Sequence, residues 1–299
     1  MQGRDWALVS FTLLVQMAVG SLFALAIFIF GDSTLLPKSV IADLNLIVLI
    51  LVPALLILGL LSAIPHLSHP GRSRLAMGNF KKSWLSREMF LGICFTISSL
   101  ILMILHLLDI EPRNIQAVLI GVSMLCGVLL LYSMSRIYML RTVPTWNTWG
   151  TPISFFLSAG LLGTLSLSLA VNIAAQGYAH TEASLTAMGD LCHIFGWTSA
   201  ILLSIQLFIA FMKDRFLIWR GGVSRESIQL LKQRYPIPGI LRGTFGFLAI
   251  GLCIIFALLP FSNTNPGLFT AIIMAFLLAL TSEILGRFLF YASFKSSGI

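Results

Sequence analysis

Charge is what this chain has least of. Only 10% of its 299 residues are Asp, Glu, Lys or Arg, against roughly 25% in an ordinary soluble domain. So little polar surface cannot cover a water-facing globule, and a soluble enzyme, a coiled coil and a disordered protein are excluded. Cysteine is also scarce: Cys94, Cys126, Cys192 and Cys253 are scattered, with no C-x-x-C. No thiolate-held iron–sulfur cluster and no metal site is therefore expected in this chain, and the four thiols read as small apolar core residues. There is no low-complexity stretch and no repeat of fixed period. Gly239-x-x-x-Gly243 is the one spacing singled out for close helix approach.

What is present is hydrophobic sequence, 58% of residues, with a mean hydropathy of +0.95. It falls into eight runs: 6–30, 44–64, 89–108, 115–140, 153–175, 191–212, 242–260 and 268–291. Each is long enough to cross a hydrocarbon core of about 30 Å as a helix. Backbone groups in lipid must bond internally, so spans are helices or closed barrels. Continuous rather than alternating apolarity excludes the barrel. The expected fold is an all-α polytopic membrane protein, a single anchor domain of eight transmembrane helices. The first run is too long for a cleaved signal peptide and lacks a small-residue cleavage site after Phe30.

A net charge of +8 would suggest nucleic acid in a soluble protein; here its distribution points instead to the bilayer, and no nucleic-acid partner is expected. With eight spans, both termini share a side with loops 65–87 and 213–239. That side holds 17 of the 19 lysines and arginines, leaving Lys38 and Arg113 opposite. The positive-inside rule places the basic face in the cytoplasm. A basic face also suits an acidic partner subunit.

Ionisable residues in a bilayer each need an account. His106 and His193 lie near the ends of runs on the less basic side and form the one pair that could be tested as haem ligands. The alternative is local pairing, His106 with Asp109 and His193 with Asp190, each three residues apart. Glu283 and Arg287 stand four apart in the last run, acid before base. They suit either a pair that holds the helix in register or a proton route. The stretch Pro65-His66-Leu67-Ser68-His69-Pro70 is bracketed by prolines that end the second helix and fix a turn at the membrane surface. His66 can accept a proton near neutrality. Arg72 and Arg74 follow, and Glu88 opens the third helix. A base, a carboxylate and cations at one interface are suited to taking protons from a hydroquinone; a solvated headgroup-facing turn is the plainer alternative.

From His66 to Glu88 the sequence resembles the membrane-anchor subunits of anaerobic dimethyl sulfoxide reductases. His66, Leu67, Pro70 and Arg72 match that family's H-L-x-x-P-x-R turn, and Glu88 matches the acid that follows it. The likeness recurs at Val143-Pro144-Thr145-Trp146, at 283–291 and at Gln16. His69, Gly71 and Arg74 depart from the pattern, and Lys81-Lys82 adds charge. The resemblance implies a bacterial inner-membrane anchor that oxidises menaquinol and feeds a four-cluster iron–sulfur subunit, which in turn serves a molybdopterin catalytic subunit. It implies a quinol site built from His66, Glu88, Arg72 and Gln16, with His66 and Glu88 doing the proton chemistry, and no haem. Arg72, Arg74, Lys81 and Lys82 are the residues expected to dock the partner. Many relatives serve catalytic subunits with a twin-arginine export signal, which would place the basic face in the periplasm, against the charge rule. Two other classes stay open: a haem-bearing anchor of another molybdoenzyme, and a secondary transporter, which would show repeats or midplane charges.

Overall fold

The computed structural model describes residues 3–30, 38–63, 79–110, 113–177, 181–261 and 266–294. Among them every regular element is helical: α1 (Gly3–Phe30), α2 (Lys38–Ala63), α3 (Trp84–Leu107), α4 (Arg113–Tyr138), α5 (Gly150–Gly177), α6 (Glu182–Arg220), α7 (Gly222–Arg234), α8 (Pro236–Leu258) and α9 (Pro266–Ala292). Eight of the nine are long and apolar enough to cross a membrane, and the protein is multi-pass. Pro53 lies inside α2, a placement lipid-embedded helices tolerate because neighbours satisfy the freed carbonyl.

Several helix ends differ from the hydropathy reading: α2 and α8 each begin six residues earlier than their apolar runs, and the differences at α3 and α6 are the ones that bear on the site. Helix α3 begins at Trp84, where Ser83 caps it by accepting from the Ser86 amide at 3.3 Å, so Glu88 lies in its second turn rather than at its mouth. Helix α6 has 39 residues, roughly 58 Å at 1.5 Å per residue, well beyond the about 30 Å that a hydrocarbon core requires. It absorbs much of what read as loops at 176–190 and 213–239. Most of the remainder of the second loop is the short helix α7, set off by Gly221 and Gly222 at φ 75° and 55°, and its last four residues open α8. Polar helix ends escaped the hydropathy reading because they leave the apolar zone while the backbone hydrogen bonding continues.

Helices α1 and α5 are the most enclosed and form the centre of the bundle. They cross where a Cβ on Gly20 would collide with the Ala159 carbonyl, and one on Gly163 with the Gly20 backbone. Lipid offers no hydrophobic drive between helices, so backbone approach at small residues supplies much of the packing. By contrast, Gly239 and Gly243 have nothing within 4 Å of a built Cβ, so the spacing singled out in the sequence makes no such contact. Helices α2, α3 and α4 pack on one side of the central pair, and α6, α8 and α9 on the other. Two large apolar clusters follow this division, one centred on Leu22, Val52, Phe95 and Phe155 and one on Leu165, Leu203, Phe256 and Ile272. Outward residues such as Val118, Leu125, Phe208 and Phe247 are large, apolar and exposed, as a lipid-facing surface requires.

Candidate functional site

Of the residues expected to form the quinol site, His66 and Arg72 lie outside the described residues, as does Arg74 of the expected docking set. Glu88 is buried, 8% exposed, and has no hydrogen-bond partner among the described residues. Its neighbour Arg87 does not pair with it. The Arg87 guanidinium donates to the carbonyls of Phe80 at 3.0 Å and Lys81 at 2.8 Å and stacks 4.2 Å from the Trp84 ring centroid. These bonds fold the turn ahead of α3 so that Lys81 and Lys82 are exposed on the basic side.

Gln16 is fully buried in α1. Its Oε1 accepts from Arg287 Nη2 at 3.1 Å, across 271 residues of sequence. The same Nη2 donates to Ser158 Oγ at 3.3 Å, and Ser158 donates in turn to Glu283 Oε2 at 2.5 Å. Gln206 Nε2 donates to Glu283 Oε2 at 3.2 Å and to Ser158 Oγ at 3.1 Å. Glu283 and Arg287 therefore meet through a hydroxyl on α5 rather than by direct contact along α9. The Arg287 guanidinium also lies 3.7 Å from the Phe155 ring centroid, a cation–π contact strengthened by desolvation. Four helices, α1, α5, α6 and α9, supply this knot. Ser158 and Gln206 were not anticipated from sequence; an acid and a base at mid-run signal that partners must exist, but not which residues they are.

The two other stretches that resembled the family join each other. Trp146 Nε1 donates to the Phe290 carbonyl at 2.7 Å and Thr145 Oγ1 to the Ser293 carbonyl at 3.0 Å. They thus satisfy carbonyls that the end of α9 would leave bare. Trp146 stacks on Phe290 with centroids 5.3 Å apart, and the Tyr291 hydroxyl donates to that of Tyr138 at 3.0 Å. The segment after α4 is a clasp that holds the end of α9, and with it the Glu283–Arg287 knot, in register.

Above the knot, toward the basic face, a cavity of about 90 Å³ opens between α5, α6, α7, α8 and α9. Lys213, Asp214, Arg242, Gln206, Glu283 and Arg287 contribute its polar lining. Asp214 is held by Lys232 of α7 at 3.6 Å.

On the opposite side of the membrane, His193 Nδ1 bonds to the Ala257 carbonyl at 2.6 Å rather than to Asp190. Its helix α6 packs on α5 and α8, whereas His106 stands on α3, packed on α2 and α4. The two imidazoles thus belong to helices that are not neighbours, a poor arrangement for ligating one haem from two sides. The described residues contain no cluster of three metal-ligating side chains.

Comparison with known proteins accords with this architecture. The family model described as DMSO reductase anchor subunit (DmsC) matches residues 1–293. The sequence is 28% identical to the C subunit of the anaerobic dimethyl sulfoxide reductase of Haemophilus influenzae over 294 residues, which is 98% of this protein and 95% of that one. It is 25% identical to the corresponding C subunit of Escherichia coli over 309 residues, 99% and 97% of the two proteins. The YnfH subunit of an E. coli anaerobic dimethyl sulfoxide reductase is 26% identical over 258 residues, 80% and 88% of the two.

Proposed function

Because the protein belongs to the DMSO reductase anchor subunit family, we propose that it oxidises menaquinol in a bacterial inner membrane and passes the electrons to an iron–sulfur subunit. That subunit carries four clusters and serves a molybdopterin catalytic subunit. The observation that supports the quinol reading best is Glu88: a buried carboxylate without a hydrogen-bond partner among the described residues, set in the first turns of a lipid-embedded helix. An intramembrane acid is costly and marks function by default.

Menaquinol is apolar and arrives through lipid, so its pocket belongs between helices near the interface. Oxidation releases two electrons and two protons. The electrons pass to the partner's nearest cluster, which requires the pocket to adjoin the docking face carrying Arg72, Arg74, Lys81 and Lys82. The hydroxyl protons go to a base open to water. His66 is that base, Glu88 orients it or relays the second proton, Arg72 stabilises the developing quinol anion, and Gln16 borders the pocket from α1.

The test uses the assembled three-subunit complex. His66→Gln should leave assembly intact and slow menaquinol oxidation by roughly 10²–10⁴-fold, the contribution of a positioned base. Glu88→Gln should slow the same step or weaken quinol binding, with a double variant less than additive. Acceptor reduction by a dye that feeds the soluble subunits directly should survive both changes. Wild-type menaquinol oxidation by the assembled His66→Gln complex would assign the role elsewhere.

A further inference from the structure

The cavity above the Glu283–Arg287 knot carries more positive charge than its own acids neutralise. Asp214 is taken by Lys232 at 3.6 Å. Glu283 is compensated by Arg287 through Ser158. Two cations remain, Lys213 on α6 and Arg242 on α8, and both line the cavity. Neither has a carboxylate within ion-pair distance among the described residues. The Lys213 ammonium rests 5.2 Å from the Phe290 ring centroid, and the buried Arg242 Nε has no hydrogen-bond acceptor among the described residues. The fold makes room for both side chains. A Cβ on Gly150 would lie 3.1 Å from the Lys213 stem, and one on Gly286 would lie 3.0 Å from the Arg242 guanidinium. Two unpaired cations brought together in this way repel each other unless an anion joins them.

Depth and surroundings identify that anion. Lys213 and Arg242 stand at the basic-face boundary of their apolar segments, where lipid phosphates lie. The outer faces of the same two helices are apolar and exposed, at Phe208 and Phe211 on α6 and at Ile240 and Phe247 on α8. Trp219, 82% exposed, extends this side of α6 beyond the cavity, as interfacial aromatic residues do. We propose that the cavity bounded by Lys213 and Arg242 binds the phosphate of an anionic phospholipid, with the acyl tails lying along the exposed faces of α6 and α8. Two acceptors deeper in the cavity, Gln206 Oε1 and Glu283 Oε1, are also unpaired among the described residues. They suit a hydroxyl-bearing headgroup, as in phosphatidylglycerol, or water that enters with it. The site is independent of the quinol reading and lies on the α8–α9 side of the bundle, away from α3.

Native mass spectrometry of the complex, delipidated in detergent and titrated with phosphatidylglycerol, tests it. The wild type should retain one phosphatidylglycerol in preference to phosphatidylcholine. Lys213→Gln and Arg242→Gln should each weaken retention about 5-fold and the double variant about 25-fold, from the usual contribution of a basic residue near a lipid surface. Lys213→Arg should keep retention. Arg215→Gln, which removes an exposed charge outside the cavity, should leave it unchanged. In lipid-free detergent the two neutralised variants should melt no lower than wild type, since repulsion has been relieved; this also shows that they fold. Unchanged phosphatidylglycerol retention in the folded double variant overturns the proposal. Equal protection by inorganic phosphate alone would overturn the lipid assignment and leave a free-anion site.

Discussion

Removing Arg287 should be among the most damaging single changes in this protein, and the damage should depend on Glu283. Arg287→Met is close in length and keeps apolar packing, but it deletes the donors to Gln16 and Ser158 and the cation over Phe155. Side-chain hydrogen bonds between membrane helices average only about 0.6 kcal/mol, so two of them account for about 1 kcal/mol. A desolvated cation–π contact adds up to about 2 kcal/mol. The larger consequence is that Glu283, 2% exposed, keeps its charge without compensation, and breaking a buried pair costs about 3–5 kcal/mol in soluble proteins. We expect about 3 kcal/mol for Arg287→Met, a shift of roughly two decades in the folding equilibrium. Glu283→Gln should cost a similar amount, because it leaves the arginine as the uncompensated charge. The double variant should cost little more than either single change. The assay is reversible unfolding of the purified protein in mixed micelles titrated with a denaturing detergent, followed by fluorescence of its six tryptophans. If the two single costs add to within about 0.5 kcal/mol, the bridge through Ser158 is not an energetic unit and the reasoning fails.

Two further outcomes follow from backbone geometry. Gly20→Val places a branched side chain against the Ala159 carbonyl at the α1–α5 crossing, so it should destabilise by at least about 1–3 kcal/mol as overpacking does; the same change at Gly243, with nothing near, should be near neutral in a thermal melt of the purified protein. At the α6–α7 junction Gly221 adopts φ 75°, ψ −166°, a region open essentially to glycine. Gly221→Ala should therefore cost about 1–3 kcal/mol, read as faster proteolysis within the 213–239 segment rather than loss of the membrane-embedded core.

Much of the architecture is legible in the linear sequence because lipid imposes a simple demand. A span must be apolar over about 20 residues whatever its neighbours are, so all eight spans and the basic face could be read from hydropathy and the placement of lysine and arginine. Helix ends could not. Helix α6 continues to Arg220 through Lys213, Asp214 and Arg215, where backbone bonding persists but hydropathy falls. The candidate site divides in the same way. Gln16, Glu283 and Arg287 stand out as polar groups in apolar runs, Glu88 as the acid that opens the third run, and the Val143–Trp146 segment as one of the matching stretches. Ser158 does not, because serine is common in membrane helices and usually bonds its own preceding turn, as Ser166 and Ser168 do here.

What the sequence determined alone is therefore the number of spans, the asymmetry of charge and the presence of an acid and a base that lipid would not tolerate unaccompanied. Tertiary structure decided how they are accompanied. Hydropathy is a sum along one helix, blind to the rotation of that helix about its axis and to the order of its neighbours. Those two variables place Arg287 beside Gln16, 271 positions away, and put a hydroxyl from α5 between two charges that sequence spacing had paired directly. They also leave Lys213 and Arg242 in one cavity without an acid of their own. The glycines at 20, 150, 163 and 286 are what permit these approaches, because a neighbouring backbone or a long cationic group can draw that close only where a side chain is missing.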